Sequence, residues 1–393
     1  MRKVRLALWL GIPCQAISEV FRAFAETHDF EVEIFCFRQL PKDRCQLGWQ
    51  MPDYGQIPFE FLPTEENARQ VRVLTILEQK YDFHLISLNY SYPEHYPLVA
   101  ALEMCKAPFG ILAEGPWNPL TGVRRWLKFA YLLLCVRRKL RHFSRSAKFV
   151  CCQSGGAAQH IRWFRWFGFA KDKIYPFGYF SSFAKQNNEN AAEKSTDCIH
   201  VLCTGYITKV KGQELLIRAL ANHPEIHSKL EVTITGFGEG EANLRKQIDS
   251  HGLGTCVEIV GVVSTERLQQ LYAAADIFVA PGIEEPWGIR INEALLAGIP
   301  VLISDRIGAC ELIRASGGGV CFQSGNATML GDILAQWVSE PQRLQHFRSK
   351  IQSYRKKILP SVAMCYLREI ILHEVNGSEQ PSRLPVWLCG AEE

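Results

Sequence analysis

The chain has 393 residues, 47% hydrophobic and 21% charged, with 44 Lys and Arg against 40 Asp and Glu for a formal net charge of +4. That length suits two domains with a sizeable core, and so small a net charge does not argue for nucleic acid. No apolar run approaches the roughly 18–20 residues of a membrane span, and the 14 cysteines show no CxxC pair and no Cys/His ligand spacing, so reduced thiols are expected rather than a zinc site.

Met1-Arg2-Lys3 leads straight into a strand-like run with no cleavable leader, which predicts a cytoplasmic protein. Residues 4–10 read as a strand, followed by Gly11-Ile12-Pro13 and a helix near 16–26, and 32–37 read as a second strand. A Pro- and Gly-bearing connection over 40–55 follows, then a helix over 65–79, a strand over 84–88, a helix over 97–105 and a strand over 109–113. This β–α alternation argues for a parallel sheet covered by helices, whose ligands bind beyond the carboxyl ends of the strands. Gly11, just after the first strand, is either a turn glycine or a place where backbone approaches a phosphate. Glu114 follows the fourth of these strands and either faces a ligand at that edge or caps the next turn.

The stretch 122–148 is strongly asymmetric, with Arg124, Arg125, Lys128, Arg137, Arg138, Lys139, Arg141, Arg145 and Lys148, no acid, and Trp126, Phe129 and Tyr131 between them. It reads either as a basic, aromatic-bearing helix suited to an anionic membrane surface or as a buried helix followed by a solvated charge cluster. Residues 149–153 form a further strand-like run, and the polar 183–197, containing Gln186-Asn-Asn-Glu-Asn190, reads as a linker.

A second alternation then begins. Strands are expected at 200–203, 230–235, 257–260 and 276–280, helices at 213–221, up to 251 and at 265–274, and Gly-rich loops at 204–212 and 236–240. Helices at 332–338, 341–358 and 361–375 close the pattern. The expected organisation is α/β: a Rossmann-like, doubly wound domain over 1–182, the linker, a second such domain over 198–358, a helix at 359–376 packing back toward the first domain, and a weakly ordered tail at 377–393 in which Val386-Trp387-Leu388 could dock.

The most informative stretch is 281–304, Pro-Gly-Ile-Glu-Glu-Pro-Trp-Gly-Ile-Arg-Ile-Asn-Glu-Ala-Leu-Leu-Ala-Gly-Ile-Pro-Val-Leu-Ile-Ser. A Pro- and Gly-punctuated loop feeds a short helix at 289–297, Gly298 stops it, and 301–303 is a buried-strand run. A loop entering a helix N-terminus offers free N–H groups and a positive dipole end, which suits an anion. Beside it stand two carboxylates, Glu285 and Glu293, which repel phosphate and accept hydrogen bonds from hydroxyls. A ligand carrying both an anion and several hydroxyls, such as a nucleotide-diphospho-sugar, satisfies both halves.

Those residues, with Gly212, the 236–240 loop and Tyr272-Ala-Ala-Ala-Asp-Ile-Phe-Val ahead of them, resemble the retaining nucleotide-sugar glycosyltransferases of GT-B fold, family 4, also called glycosyl transferases group 1. The resemblance covers about 201–322 well, the first half only by pattern, and implies two Rossmann-like domains facing each other across a cleft. It implies that Glu285 contacts hydroxyls of the transferred sugar, and that backbone N–H groups of Trp287, Gly288, Ile289 and Arg290 meet the sugar and diphosphate. Glu293 would accept from the ribose, Lys211 would serve the diphosphate, the Gly236 loop would lie at the site, and the backbone at Val260 would read the base. The donor would be a UDP- or GDP-sugar and the acceptor a glycan or lipid-linked glycan of cell-envelope polysaccharide assembly.

Two departures stand out. Tyr206 occupies the position of the family's usual arginine, leaving Lys209 as a substitute charge, and Glu114 stands where an active-site histidine is frequent. No Asp-x-Asp occurs in the chain, so no metal cofactor is expected, and neutralisation of the leaving group falls to Lys211 and the helix N-terminus. Without a visible nucleophile, retention implies front-face attack, whereas Glu114 acting as a base would suit inversion. A catalytically silent nucleotide-sugar-binding subunit and a nucleotide-sugar epimerase share this architecture and remain alternatives; a phosphorylase is disfavoured because no lysine for pyridoxal phosphate stands out.

Overall fold

The computed structural model describes residues 2–46, 49–89, 91–116, 122–156, 158–181 and 198–390, so the expected linker lies outside the described residues. The chain order is β1 (Val4–Leu10), α1 (Gln15–Ala25), β2 (Phe30–Cys36), α2 (Lys42–Gln46), β3 (Phe59–Phe61), α3 (Glu66–Glu78), β4 (Phe83–Leu88), α4 (His95–Met104), β5 (Phe109–Ala113) and α5 (Gly122–Tyr131). A π-helical turn (Leu132–Val136) joins α5 to α6 (Arg137–Ser146), and β6 (Val150–Cys152), α7 (Ala158–Trp166) and β7 (Ile174–Pro176) follow. The second series is β8 (Ile199–Thr204), α8 (Gln213–Ala221), β9 (Leu230–Thr235), α9 (Glu241–Ser250), β10 (Val257–Gly261), α10 (Thr265–Ala274), β11 (Ile277–Ala280) and α11 (Ile289–Leu296). It closes with β12 (Val301–Ser304), α12 (Cys310–Ser316), β13 (Gly319–Phe322), α13 (Ala327–Ser339), α14 (Gln342–Tyr354) and α15 (Pro360–Asn376).

Two compact units result, Met1–Ser181 with Leu359–Pro385, and Ser182–Ile358 with Val386–Glu393. The first holds a seven-stranded sheet in the order β3-β2-β1-β4-β5-β6-β7 and the second a six-stranded sheet in the order β10-β9-β8-β11-β12-β13. Every adjacent pair is parallel. Central strands of such sheets are covered on both faces, which is why β1 reads Val-Arg-Leu-Ala-Leu-Trp-Leu and is buried nearly throughout. In the first unit Trp9, Phe35, Ile86 and Ile111 pack under α3, α4, α6 and α7, with Leu98, Leu140, Phe143 and Phe167 facing them. In the second, Val201, Ile234, Ile277 and Leu302 pack against Leu216, Leu220, Leu330 and Leu334.

Several elements escape the sequence pattern. β3 is three residues long, too short for alternation to register, and its presence makes Glu114 follow the fifth strand in chain order, not the fourth. β7 ends in Pro176 at a sheet edge, where a missing ladder donor is tolerated. Residues 377–390 are not a loose tail: 377–385 belong to the first unit and 386–390 to the second, where Trp387 is fully buried and its carbonyl accepts from the Tyr354 hydroxyl.

Candidate functional site

In the second sheet the strand order reverses between β8 and β11, and ligands of doubly wound sheets bind at such a switch point, beyond the carboxyl ends. The loops that leave there are locked together by glycines. Gly236 has φ +121°, and a Cβ on it would lie 1.9 Å from the Gly205 carbonyl oxygen. Ile207 N–H donates to the Phe237 carbonyl at 2.9 Å, and Gly240 N–H returns to the Ile207 carbonyl at 3.0 Å. On the other side Gly212 has φ +73°, with room for no Cβ because the Pro281 carbonyl oxygen would be 2.2 Å away. Ile283 N–H donates to the Val210 carbonyl at 2.8 Å. Residues 205–212 are thereby clamped between the 236–240 and 281–288 loops.

That clamp brings Lys211 to Glu285, Nζ to Oε1 2.5 Å, with both side chains part-exposed at 30% and 24%. The Glu285 backbone is fixed independently: its N–H donates to the Arg306 carbonyl at 3.2 Å and its carbonyl accepts from Gly308 N–H at 3.1 Å. Gly288, with φ +92°, caps α11 in the left-handed region, and a Cβ there would stand 2.9 Å from Ile307 Cγ2 and 3.6 Å from Glu285 Oε2. The glycine is required by the left-handed backbone and by Ile307, and the Glu285 carboxylate lies beside it at the first turn of α11. An acceptor of hydroxyl protons, an ammonium and the positive end of a helix dipole stand within one short span of surface.

Glu293 lies on α11 and is 7% exposed. Its carboxylate accepts from the Tyr272 hydroxyl at 2.9 Å and from Arg290 Nη1 at 3.0 and 2.7 Å. A carboxylate offers about four acceptor positions, and these three contacts leave little of it unengaged. Glu293 holds the Arg290 guanidinium more firmly charged, and burial pushes the Tyr272 phenol up, so both remain donors. Arg290 thus contributes its side chain as well as the backbone that the sequence suggested. Trp287 contributes only backbone: its ring is 1% exposed, its indole N–H donates to Asn292 Oδ1 at 2.9 Å, and its carbonyl accepts from Ala309 N–H at 2.8 Å. Ile289 opens the helix, half-buried.

Tyr206 and Phe237 place their rings 6.2 Å apart, and the Tyr206 carbonyl accepts from Gln213 Nε2 at 2.8 Å. Lys209 is exposed on the same loop. Val260 lies at a register break in the pairing of β10 with β9, just before Gly261 with φ +73°. Such a bulge takes backbone groups out of the ladder and frees them for other partners. Sequence reasoning quoted Tyr272 in the resembling string without giving it a role, and missed the Arg290 guanidinium and the 306–309 backbone, because these contacts lie between elements or depend on helix geometry that no local motif encodes.

The remaining two candidates belong to the first unit, whose strand order reverses between β1 and β4. Gly11 is buried, and a Cβ on it would lie 2.4 Å from the Tyr92 ring. The close approach that this glycine permits is by an aromatic ring, over which the Arg38 guanidinium stacks at 4.4 Å. Glu114 Oε1 accepts from the Tyr179 hydroxyl at 2.9 Å. Near it the Cys14 thiol is pushed up to about 11, chiefly by burial, which makes it an unreactive neighbour.

Residues 184–354 match the family described as glycosyl transferases group 1. An uncharacterized glycosyltransferase of Methanocaldococcus jannaschii is 35% identical over 120 residues, 30% of this chain and 30% of that protein. The amylovoran biosynthesis glycosyltransferase AmsK of Erwinia amylovora is 30% identical over 151 residues, 36% of this chain and 37% of that protein. The chain thus spans about a third of the length of these curated relatives. Among solved structures, HepE of Anabaena in complex with UDP superposes with a TM-score of 0.69 at 18% identity, covering 94% of this chain and 99% of that one. That likeness concerns the fold: two parallel-sheet α/β domains of GT-B type.

Proposed function

We propose that this chain, a GT-B protein whose residues 184–354 form a glycosyl transferases group 1 domain, transfers a sugar from a UDP- or GDP-sugar to a glycan or lipid-linked acceptor. The setting proposed is cell-envelope polysaccharide biosynthesis, with retention of anomeric configuration. The observation that carries this reading is the Lys211–Glu285 pair, 2.5 Å apart, where the strand order reverses and α11 begins. The E. amylovora relative bears the name of an amylovoran biosynthesis glycosyltransferase, and HepE was crystallised with UDP; both fit the proposal.

In the proposed reaction the bond from the anomeric carbon to the diphosphate breaks, and negative charge grows on the leaving oxygen. Lys211, released from Glu285 by the incoming donor, neutralises that oxygen together with the N-terminus of α11, and Lys209 adds charge from the loop edge. Glu285 accepts hydrogen bonds from the sugar hydroxyls. The acceptor oxygen attacks the same face and its proton passes to the departing phosphate. Glu293 offers its one remaining acceptor position to a ribose hydroxyl, and the backbone near Val260 meets the base. With this charge supply, and no Asp-x-Asp in the chain, no metal is required. The reading includes peripheral contact of a cytoplasmic protein with an anionic membrane through 122–148; no helix among the described residues is long and apolar enough to cross one.

One observation favours a second reading, a nucleotide-sugar-binding subunit without turnover: Tyr206 brings no charge to the diphosphate. Incubation with radiolabelled UDP- and GDP-sugars separates the two. Transfer or slow hydrolysis of a donor is expected, tight binding without either selects the subunit, and no binding of any donor removes both. Proton NMR of the product's anomeric centre tests retention.

A further inference from the structure

The helical run from α5 through α6 is fastened to the first unit by Leu132, Val136, Leu140 and Phe143, each at most 3% exposed. What it turns outward is divided along its length. At the α5 end Val123, Trp126, Leu127, Tyr131 and Leu134 are 52–75% exposed, a dense apolar patch for a helix that also bears arginine. At the α6 end Leu133, Arg137, Arg138, Arg141, His142 and Arg145 line a concavity of about 390 Å³.

Two of these groups have partners. The Arg137 guanidinium lies 4.6 Å from the centre of the Trp166 ring, and His142 meets Glu103 at 2.8 Å. Among the described residues no carboxylate pairs with Arg138, Arg141 or Arg145, all exposed. Beyond Trp166 a second hollow of about 430 Å³ is lined by Arg162, Arg165 and Lys171. Guanidinium groups gathered on a concave surface repel one another until an anion arrives, and their planar forks match phosphate oxygens. The apolar patch decides which phosphate. Leu133 lines the arginine hollow and continues directly into Leu134 of the patch. A free phosphate has no use for an adjoining apolar surface, and a nucleic acid finds nothing to stack on in the exposed aliphatic Val123, Leu127 and Leu134, whereas a bilayer offers phosphates in one plane and acyl chains just beneath.

We infer that this edge of the first unit docks on anionic phospholipid, with Trp126, Leu127 and Leu134 entering the acyl boundary and the α6 hollow receiving phosphate headgroups. The inference rests on the peripheral contact proposed above. It divides that contact into an inserting part and a phosphate-binding part, and extends it to α7, outside the basic stretch seen in the sequence.

Flotation of the full chain with vesicles of phosphatidylcholine alone, or mixed with phosphatidylglycerol, tests it. The wild type is expected to float with the mixed vesicles only. R138Q/R141Q/R145Q is expected to lose on the order of a hundredfold in partitioning, about fivefold per guanidinium. W126S/L127S is expected to weaken flotation while keeping its salt dependence. Equal flotation with neutral vesicles, or a triple variant that floats like the wild type, overturns the inference. Unchanged melting midpoints establish that the variants are folded. Donor turnover on a water-soluble acceptor, measured on the same preparations, keeps the two readings apart: turnover without flotation removes the docking site and leaves the transferase, and flotation without turnover supports the docking site alone.

Discussion

Replacing Lys211 by alanine removes the ammonium that Glu285 holds at 2.5 Å. If that ammonium meets the leaving diphosphate, kcat falls by about 10²–10³ with a smaller change in donor KM, as loss of one preorganised electrostatic group does. Initial rates against donor concentration measure it, and a change confined to KM would assign Lys211 to ground-state binding instead. Glu293→Gln acts differently. It removes the charge that Arg290 and the buried Tyr272 hydroxyl both point at, so donor affinity is expected to drop and stability to fall by about 1–3 kcal/mol, read by nucleotide titration and urea denaturation. The placement of the two glutamates beside the α11 N-terminus was legible in the sequence, because the loop and helix that carry them are marked by Pro286, Gly288 and Gly298. The partners of Glu293 were not: Tyr272 comes from α10, and the Arg290 contact depends on which way a first-turn side chain leans. Gly11 was legible as a place of close approach, but not that Tyr92 makes it.

Between residue and domain, the loops act as one piece. Gly212→Ala puts a methyl group 2.2 Å from the Pro281 carbonyl at φ +73°, which costs about 1–3 kcal/mol of backbone strain and pushes Lys211 away from Glu285. Weaker nucleotide binding is expected, by calorimetric titration, from a residue without a side chain. The pairing of β1 with β4 brings a pH response. The Trp9 indole N–H donates to His84 Nδ1 at 3.1 Å, and burial lowers His84 to about 3 and His95, the first residue of α4, to about 4, from an ordinary 6.5. Both are therefore neutral when folded. The stability held by keeping them unprotonated is complete above pH 6.5, is lost as pH falls through the unfolded value, and stops falling below the folded values, a few kcal/mol per histidine. Melting midpoints between pH 7 and 4 are expected to drop accordingly, and less steeply in His84→Gln. Of the elements themselves, long periodic ones were legible, and the three-residue β3 and the Pro-terminated β7 were not, since a strand that short takes its identity from its neighbour's edge.

At the scale of the whole molecule, two doubly wound units could be read because each half restarts with a strand, a glycine-bearing loop and a helix. That the helix over 359–376 returns to the first unit was expected too; that Val386-Trp387-Leu388 then joins the second unit was not fixed by pattern, because it is a three-residue apolar run among prolines and acids. Its burial predicts that Trp387→Ala destabilises the second unit by about 3–5 kcal/mol while leaving the first unit's melting unchanged, which differential scanning calorimetry resolves. The first unit has the mirror-image debt to the end of the chain. Its α1, with Ile17, Val20, Phe21 and Phe24 inward, packs on α15, and Arg368 of α15 pairs with Asp29 after α1. On the ribosome, then, the unit begun first is finished last, since its sheet ends at Pro176 and its α15 begins at Pro360. While the second unit is being translated, the nascent first unit carries an uncovered aromatic and aliphatic face, and that interval is when a chaperone would be needed. Expression of 1–181 alone should reproduce that unfinished state permanently, as an aggregation-prone fragment, whereas a permutant that fuses 359–385 ahead of residue 1 would emerge with its partner helix already made.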